Sequence, residues 1–295
     1  MRSFRFVTVD VFTDRRFGGN PLAVFPDAAG LLDSEMQSLA TEFNLSETTF
    51  VLPPADPANT ARVRIFNTTG EMPFAGHPNV GTGYVLAQAG LGQAGALKFE
   101  ELAGLVTVRI DRDAQAGIVG ATIDAPQPLS LGAELSPEAV AICAGLAPSD
   151  VVTSNHRPVE ASMGNPFILA EVSGPALARA SPDTTAFRRV VAHSPQLAGR
   201  LALYLYAFDG DAIRARMFAP LSGTYEDPAT GSAATPLSGL LLSLIGGESA
   251  AYDIRQGAEM GRPSLLRVAA HRSSEGIRAS VGGSCVPVLQ GEVTL

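Results

Sequence analysis

Two turns of similar design, about half a chain apart, carry the residues of this sequence that are best suited to chemistry. They read Pro73-Phe-Ala-Gly-His77-Pro78 and Glu226-Asp227-Pro-Ala-Thr-Gly231-Ser232-Ala233. Each turn follows an Arg-x-Arg-x-Phe segment and precedes a run without charged residues, which predicts a strand, a glycine-containing turn and a buried helix. One turn carries a histidine and the other an acid. We therefore expect one active site built from two similar halves with unlike side chains.

The two predicted helix starts suit the binding of an anion. The first N–H groups of a helix lack intrahelical partners and lie at the positive end of the helix dipole, and glycine lets a ligand approach the backbone. We expect the amides at Gly76/His77 and Gly231/Ser232 to hold a carboxylate or another anion. Plainer structural interpretations remain open: Ser232 as a helix N-cap, His77 bonded to a nearby carbonyl, and Asp227 as the start of an Asp-Pro turn.

The third chemical group is Glu47, in the polar segment Asn44-Leu-Ser-Glu47-Thr-Thr-Phe50 between a predicted helix and an apolar strand. A surface acid or a capping box would explain it equally well. The comparable stretch of the second half, around His193-Ser-Pro195, holds no acid. A two-base racemase would need a matched group in each half. The asymmetry therefore favours a single base that moves a proton between two positions on one face of a substrate.

The composition indicates a globular protein without nucleic-acid-binding character. Of 295 residues, 46% are hydrophobic and 17% charged, and the net charge is -8, which argues against disorder and against nonspecific binding to nucleic acid. Residues 1–10 alternate like a strand and lack the apolar block of a signal peptide. The longest apolar stretch, around residues 237–245, is shorter than the roughly 20 residues of a membrane span. We expect a soluble, cytoplasmic protein.

Motifs for other chemistries are missing from the sequence. The four histidines, at 77, 156, 193 and 271, have no metal-ligand spacing, and no P-loop, dinucleotide fingerprint or HExxH motif occurs. Cys143 and Cys285 have no C-x-x-C spacing and are interpreted as thiols in a reducing compartment. We predict no metal site.

The similarity of the two halves extends beyond the turns. Gly19-Asn20-Pro21 recurs as Gly164-Asn-Pro166, and Phe99-Glu-Glu-Leu-Ala-Gly104 loosely matches Ile254-Arg-Gln-Gly-Ala-Glu-Met-Gly261, in the same chain order. We predict an α+β fold with two pseudo-symmetric domains, residues 1–126 and 127–295, each a curled mixed β-sheet around a central buried helix. The active site is expected in the cleft between the domains, and whether the last strand returns to the first domain is left open.

Local patterns predict the individual elements. Ser136 suits the N-cap of a helix over residues 136–144, with Pro137 at its first position and Gly145 at its stop. Asp33 or Ser34 suits the cap of a helix over residues 33–43. The uncharged runs predict helices over residues 78–90 and 232–247. Strands are predicted at residues 5–10, 22–25, 49–52, 62–66, 105–110, 166–172, 201–208 and 214–218.

Together these motifs resemble the phenazine-biosynthesis PhzF-like isomerase family, whose fold is that of diaminopimelate epimerase. The resemblance covers nearly the whole chain. It rests on the segments quoted above and on two more, Arg216-Met-Phe-Ala-Pro220 and Gln256-Gly257 with Gly261-Arg-Pro-Ser264. It implies a homodimer that needs no cofactor. It also implies that Glu47 is the acid/base group.

The resemblance assigns the remaining site residues as well. Asn20, His77, Asp227 and Ser232 match the family's other polar site residues, and the amides of the two glycine turns match its contacts to the substrate carboxylate. Cysteine-dependent epimerases of the same fold place a thiol in each equivalent turn, whereas these turns read Phe-Ala-Gly-His and Ala-Thr-Gly-Ser. A two-thiol mechanism is therefore not expected.

The resemblance also suggests a reaction. The family's best-characterised reaction isomerises trans-2,3-dihydro-3-hydroxyanthranilate by a proton shift. We therefore expect a cofactor-independent isomerase acting on a small carboxylate-bearing metabolite, such as a cyclic amino acid. The alternatives are a non-catalytic metabolite-binding protein and a two-base amino-acid epimerase using Glu47 and Asp227. Substrate-specific variation is expected in residues 67–71 and 281–288.

Overall fold

The computed structural model describes residues 1–92 and 94–295, which divide into two units. Unit 1 consists of Met1–Pro126 and Val281–Leu295, and unit 2 consists of Gln127–Ser280. The end of the chain lies in unit 1 because the last strand, β17 (Gly276–Thr294), pairs antiparallel with the first, β1 (Ser3–Val11). The register runs from Ser3 opposite Thr294 to Val11 opposite Cys285. Within the described residues, no helix is long and apolar enough to cross a membrane.

Unit 1 is built from strands with two helices of more than two turns. Its helices are α1 (Asp33–Phe43) and α2 (Gly76–Gln88). Its strands are β1 (Ser3–Val11), β2 (Asn20–Phe25), β3 (Glu47–Leu52), β4 (Ala61–Phe66), β5 (Glu71–Met72), β6 (Ala96–Glu101), β7 (Gly104–Arg112) and β8 (Ile118–Asp124), with β17 (Gly276–Thr294) entering from unit 2.

Unit 2 has a similar set of elements with more helical connections. Its helices are α3 (Pro137–Cys143), α4 (Gly174–Arg179), α5 (Thr184–Ala192) and α6 (Gly231–Ile245). Its strands are β9 (Ser130–Glu134), β10 (Val159–Ser162), β11 (Pro166–Glu171), β12 (Leu203–Asp209), β13 (Ala212–Ala219), β14 (Thr224–Asp227), β15 (Ser249–Gln256) and β16 (Ser264–Ser273).

The strands of the two units pair in the same order. In unit 1, β2 is parallel to β3, β3 antiparallel to β4, β4 parallel to β6, and β6 antiparallel to β7. In unit 2, β11, β12, β13, β15 and β16 repeat these four pairings with the same orientations. The sequence repeat is thus a repeat of supersecondary structure, and the predicted α+β class is confirmed.

Each unit buries one helix among its own strands. Helix α2 is buried from Gly76 to Ala87 and packs against β1, β2, β3, β7 and β8. Helix α6 is buried over most of its length and packs against β10, β11, β15 and β16. A helix with strands on all sides has no face on which a charge could be solvated. This explains the two uncharged runs of the sequence.

Close approach of strands to α2 depends on glycine. A Cβ atom on Gly81 would lie 2.6 Å from Leu22 Cδ2, and one on Gly83 would lie 2.5 Å from Val108 Cγ1. Because real Cβ atoms do not approach other atoms so closely, these positions let the sheet lie directly on the helix.

The helix predictions are confirmed in position, but one predicted cap is wrong. Helix α1 spans Asp33–Phe43, yet its N-cap is Leu32, whose backbone N–H donates to Glu35 Oε2 at 2.8 Å. Asp33 instead accepts a hydrogen bond from Arg64 on β4. Ser136 caps α3 as predicted, since its hydroxyl accepts from the Ala139 N–H.

Candidate functional site

Parallel pairing places two predicted site residues at one edge of the unit 1 sheet. Asn20 is the first residue of β2 and Glu47 the first of β3, and the register sets Leu22 opposite Glu47. Parallel strands begin at the same edge of a sheet, so both polar side chains lie there. Helix α2 begins at Gly76 and brings His77 to the same group.

Glu47 and His77 are in contact. Glu47 Oε2 lies 3.4 Å from His77 Nε2, and the two side chains are 15% and 6% exposed. Burial lowers the pKa of His77 to about 3, and a hydrogen bond with the Pro21 backbone offsets only part of this shift. The imidazole is therefore neutral at physiological pH, and the contact is not an ion pair. The structural interpretation of His77 is confirmed, because the ring bonds the Pro21 backbone. The ring also faces Glu47, and its functional role stays a prediction.

Asn20 is positioned by the loop that precedes it and by a contact with the segment before β3. Its side chain is buried, and the Ser46 hydroxyl lies 3.4 Å from Asn20 Oδ1. Gly19 adopts a φ of 61°, and a Cβ there would lie 2.3 Å from the Val11 carbonyl oxygen. The glycine of the Gly-Asn-Pro motif is therefore required by both conformation and space.

In unit 2, Asp227 is part of a buried hydrogen-bond network. It ends β14, is 7% exposed, and accepts a 2.6 Å hydrogen bond from the Thr230 hydroxyl. Gln256, at the end of β15, donates to the Asp227 carbonyl at 2.7 Å and to Thr230 Oγ1 at 2.9 Å. Its Oε1 accepts from the Thr230 N–H and from the Tyr204 hydroxyl. This turn is therefore rigidly held just before helix α6.

Gly231 and Ser232 are the first two residues of α6, so the predicted helix start is confirmed. The alternative role of Ser232 as N-cap is wrong, because the cap position belongs to Thr230. The Thr230 side chain does not cap the helix either, since its hydroxyl donates to Asp227. The side chain at the N-cap position thus does not compete with a ligand for the first N–H groups of the helix.

Glu226, next to Asp227, is not a solvated acid. Its carboxylate forms a two-point contact with Arg216, at 2.7 Å to Nε and 2.8 Å to Nη2, and both side chains are at most 10% exposed. Arg64 and Glu71 make the same contact in unit 1. Each arginine also lies over the phenylalanine two residues later, Phe218 or Phe66. These pairs attach the helix-start turn to the preceding strand in each unit.

The predicted site residues therefore form two groups, each defined within its own unit. Unit 1 brings together Asn20, Glu47, Gly76 and His77, and unit 2 brings together Asp227, Gly231 and Ser232. Buried polar residues that carry no recognisable motif support these turns: Asn79 and Glu101 in unit 1, and Thr230 and Gln256 in unit 2. The sequence match of Phe99-Glu-Glu with Ile254-Arg-Gln already contained the signal, because it aligns Glu101 with Gln256.

The cysteines lie away from the helix starts. Cys143 is in α3 and Cys285 in β17, both are buried free thiols, and burial raises the pKa of Cys143 to about 12. Burial also raises the pKa of Cys285. Across residues 1–92 and 94–295, no cluster of three or more His, Cys, Asp or Glu side chains could hold a metal ion.

Comparison with known proteins places this geometry in a family. A family model described as phenazine biosynthesis-like protein matches residues 9–291. The chain is 38% identical over 306 residues to an uncharacterised isomerase of Mesorhizobium japonicum, with 99% of each chain covered. It is 35% identical over 298 residues to the trans-2,3-dihydro-3-hydroxyanthranilate isomerase of Pseudomonas chlororaphis, with 98% of this chain and 99% of that one covered.

Solved structures show the same fold. A phenazine biosynthesis protein of the PhzF family from Bacillus anthracis superposes with a TM-score of 0.88 at 25% identity, over 100% of both chains. A hydroxyproline epimerase from Agrobacterium vitis has a TM-score of 0.63 at 14% identity, covering 100% of this chain and 93% of that one, and shares the fold alone.

Proposed function

Because the chain belongs to the phenazine biosynthesis-like (PhzF) family of isomerases, we propose that it moves a proton between two carbon atoms of a small carboxylate-bearing metabolite, with Glu47 as the acid/base group and without a cofactor. The observation that carries this proposal is the contact of 3.4 Å between the Glu47 carboxyl and the neutral His77 imidazole at the start of a buried helix.

The proposed reaction begins with proton abstraction. The Glu47 carboxylate takes a proton from a carbon next to a conjugated double bond, and the electron pair of that C–H bond shifts into the conjugated system. Glu47, now a carboxylic acid, returns the proton to a second carbon, so atoms and charge balance without another reactant. Because the single N–H of the neutral imidazole is bonded to the Pro21 backbone, Nε2 faces Glu47 as an acceptor, which suits His77 to orient the protonated form of the carboxyl.

The substrate carboxylate is the group that we propose to be held by helix-start amides. Gly76 and Gly231 each begin a helix whose first N–H groups carry the positive end of the dipole. Asp227 and Ser232 lie beside the second of these starts. We propose that they contact the polar substituents of the substrate, while Asn20 does so beside the first.

The first substrate to test is trans-2,3-dihydro-3-hydroxyanthranilate, the compound named for the Pseudomonas relative. It combines a carboxylate, an amine and a hydroxyl on an unsaturated ring, which suits an anion site next to a carbon base. A two-base epimerase using Glu47 and Asp227 would instead invert a stereocentre without moving a double bond.

The experiment is turnover in deuterium oxide, followed by NMR of the product. Wild-type protein should isomerise the compound and incorporate deuterium at one carbon. Glu47→Gln should lower the rate by about 10³-fold or more, in the range of general acid–base catalysis. Glu42→Gln, at an exposed position of α1, is the control. Unchanged deuterium incorporation in Glu47→Gln would refute the role of Glu47. Inversion of an amino-acid stereocentre without isomerisation would favour the epimerase.

A further inference from the structure

Glu101 is a buried acid without a role in the proposed reaction. It ends β6, and neither carboxyl oxygen is accessible to solvent or has a hydrogen-bond partner among the described residues. Asn79 Oδ1, in the first turn of α2, is likewise buried without a partner. Burial raises the pKa of Glu101 to about 8, although the nearby Asn79 carboxamide acts in the opposite direction. A carboxyl in this environment keeps its proton at neutral pH.

Glu101 lies next to the turn that starts α2. The Asn79 carboxamide donates to the Ala75 carbonyl at 3.0 Å, and Ala75 is the N-cap residue of the helix. The hairpin that follows Glu101 contacts the same turn, because the Ala103 N–H donates to the Pro73 carbonyl at 3.0 Å. The end of β6 therefore supports the backbone of Pro73–His77, which carries the Gly76 and His77 amides.

The strand register makes Glu101 the counterpart of Gln256. In unit 1, Arg62 on β4 is opposite Glu100 on the parallel strand β6. In unit 2, the repeat-equivalent Arg214 on β13 is opposite Arg255 on the parallel strand β15. One residue further along each strand lie Glu101 and Gln256, and each ends its strand.

Gln256 shows what this position does in unit 2. Its amide donates to the turn at the Asp227 carbonyl and accepts from the Thr230 N–H, so it needs both a donor and an acceptor. A neutral carboxylic acid has both, whereas a carboxylate only accepts. Only the protonated form of Glu101 can therefore act as Gln256 does, by donating to the unpartnered Asn79 Oδ1.

We propose that Glu101 is a positioning residue that, as a neutral carboxylic acid acting through Asn79, holds the Gly76–His77 helix start in the way that Gln256 holds the Gly231–Ser232 start. Loss of its proton removes the donor and places a negative charge beside amides that bind an anion. Alkaline pH therefore weakens substrate binding through this residue. This consequence rests on the proposed function, whereas the protonation of Glu101 does not.

Neighbouring charges do not explain the behaviour of Glu101. Glu100 is bound to the Ala55 and Asp56 N–H groups and to Asn59, and His77 is neutral. The shift of the Glu101 pKa has burial and Asn79 as its causes, with no contribution from a charged group. The charged and titratable side chains on the surrounding elements are Arg62 and Arg64 on β4, Glu71 on β5, Lys98 and Glu100 on β6, Arg109, Asp111 and Arg112 on β7, and His77 and Tyr84 on α2.

The first test needs no substrate. An unfolded chain releases the Glu101 proton near pH 4.5, whereas the folded protein keeps it to about pH 8. The unfolded state then binds fewer protons over this interval, so the free energy of unfolding falls as pH rises through it. The free energy of unfolding of Glu101→Gln, measured with urea, should lack this part of the decline, whereas that of Glu42→Gln should retain it. If the free energy of unfolding changes with pH in parallel for wild type and Glu101→Gln, the inference is overturned.

The second test measures the reaction with trans-2,3-dihydro-3-hydroxyanthranilate. Above about pH 8, KM should rise in the wild type and much less in Glu101→Gln. Glu101→Leu, which can neither donate nor accept, should raise KM about tenfold or more at neutral pH, and the glutamine variant should rescue this loss. Equal alkaline rises of KM in wild type and Glu101→Gln would refute the positioning role. No turnover by the wild type would refute the proposed function for this compound, and the unfolding curves would still decide the protonation of Glu101.

Discussion

Glu47 Oε2 lies 3.4 Å from Nε2 of a neutral His77. A protonated histidine would form an ion pair and stabilise the carboxylate, making Glu47 a weaker base. A neutral imidazole does not form this ion pair, which suits the acid/base role that we propose for Glu47. The burial of His77 at the start of α2 thus keeps a positive charge away from the neighbouring acid.

The distance between Glu47 and His77 should affect the reaction rate as much as the charge of the imidazole does. Glu47→Asp keeps the acid but withdraws it by one methylene, and misplacement of about 1 Å can lower a rate by roughly 10²-fold. We expect kcat with trans-2,3-dihydro-3-hydroxyanthranilate to fall by about that factor while the fold is retained. Steady-state kinetics and circular dichroism check this prediction. A kcat equal to that of the wild type would contradict a positioned base.

The buried imidazole should make the protein sensitive to acid. The folded-state pKa of His77 is lowered from 6.5 to about 3, so the unfolded state binds the extra proton and stability falls as pH decreases through this window. Over the whole shift the cost is on the order of 5 kcal/mol by linkage. His77→Gln should remove this part of the acid sensitivity, whereas His271→Gln, at an exposed position of β16, should not. Urea unfolding between neutral pH and about pH 4 measures the difference. If both variants follow the wild-type curve, His77 is not buried as a neutral base.

The buried pair of Arg216 and Glu226 should require arginine. Arg216 contacts both carboxylate oxygens and also donates to the Leu177 and Ala180 carbonyls. Lysine cannot reproduce this planar set of donors. We expect Arg216→Lys to lower the free energy of unfolding by about 3 kcal/mol.

The matched control for Arg216 is Arg255→Lys. Arg255 is 61% exposed and lies 3.6 Å from Asp209, so its replacement should change stability by less than about 1 kcal/mol. Chemical denaturation of both variants provides the comparison. Equal losses in the two variants would show that burial does not set the requirement for arginine.

Two helix glycines should respond differently to alanine. A Cβ on Gly81 would meet Leu22 Cδ2 at 2.6 Å and Val11 Cγ2 at 2.8 Å, both in β-strands that are fixed by pairing. Overpacking costs about 1–3 kcal/mol and should exceed the helix-propensity gain of about 1 kcal/mol. On Gly239, the close atom is the terminal Cε of Met163, which can move.

We therefore expect Gly81→Ala to lower the thermal unfolding midpoint and Gly239→Ala to leave it nearly unchanged or raised. Calorimetry of the two variants checks the order. The reverse order would show that the strands over α2 adapt more easily than the Met163 side chain does.

Much of the local structure follows from the sequence because its causes are local. The boundaries of α1 and the cap of α3 were predictable from turn residues and capping groups adjacent to them in the chain. The two buried helices were predictable because a run without charge has no solvated face. The cap of α1 was not predictable, because Asp33 is drawn away by Arg64, which is distant in sequence.

The order of residues along the chain is enough to predict the α+β class, the internal repeat, the glycines that begin the two buried helices and the residue types of the candidate site. The protonation states of His77 and Glu101 depend on the folded structure, because strands that are far apart in the chain bury these side chains. The sequence shows a glutamate and a histidine at 47 and 77, but only parallel pairing of β2 with β3 and the position of α2 bring them together. The same holds for Glu101, an ordinary acid in the sequence, whose carboxyl becomes neutral only where β6 ends beside α2.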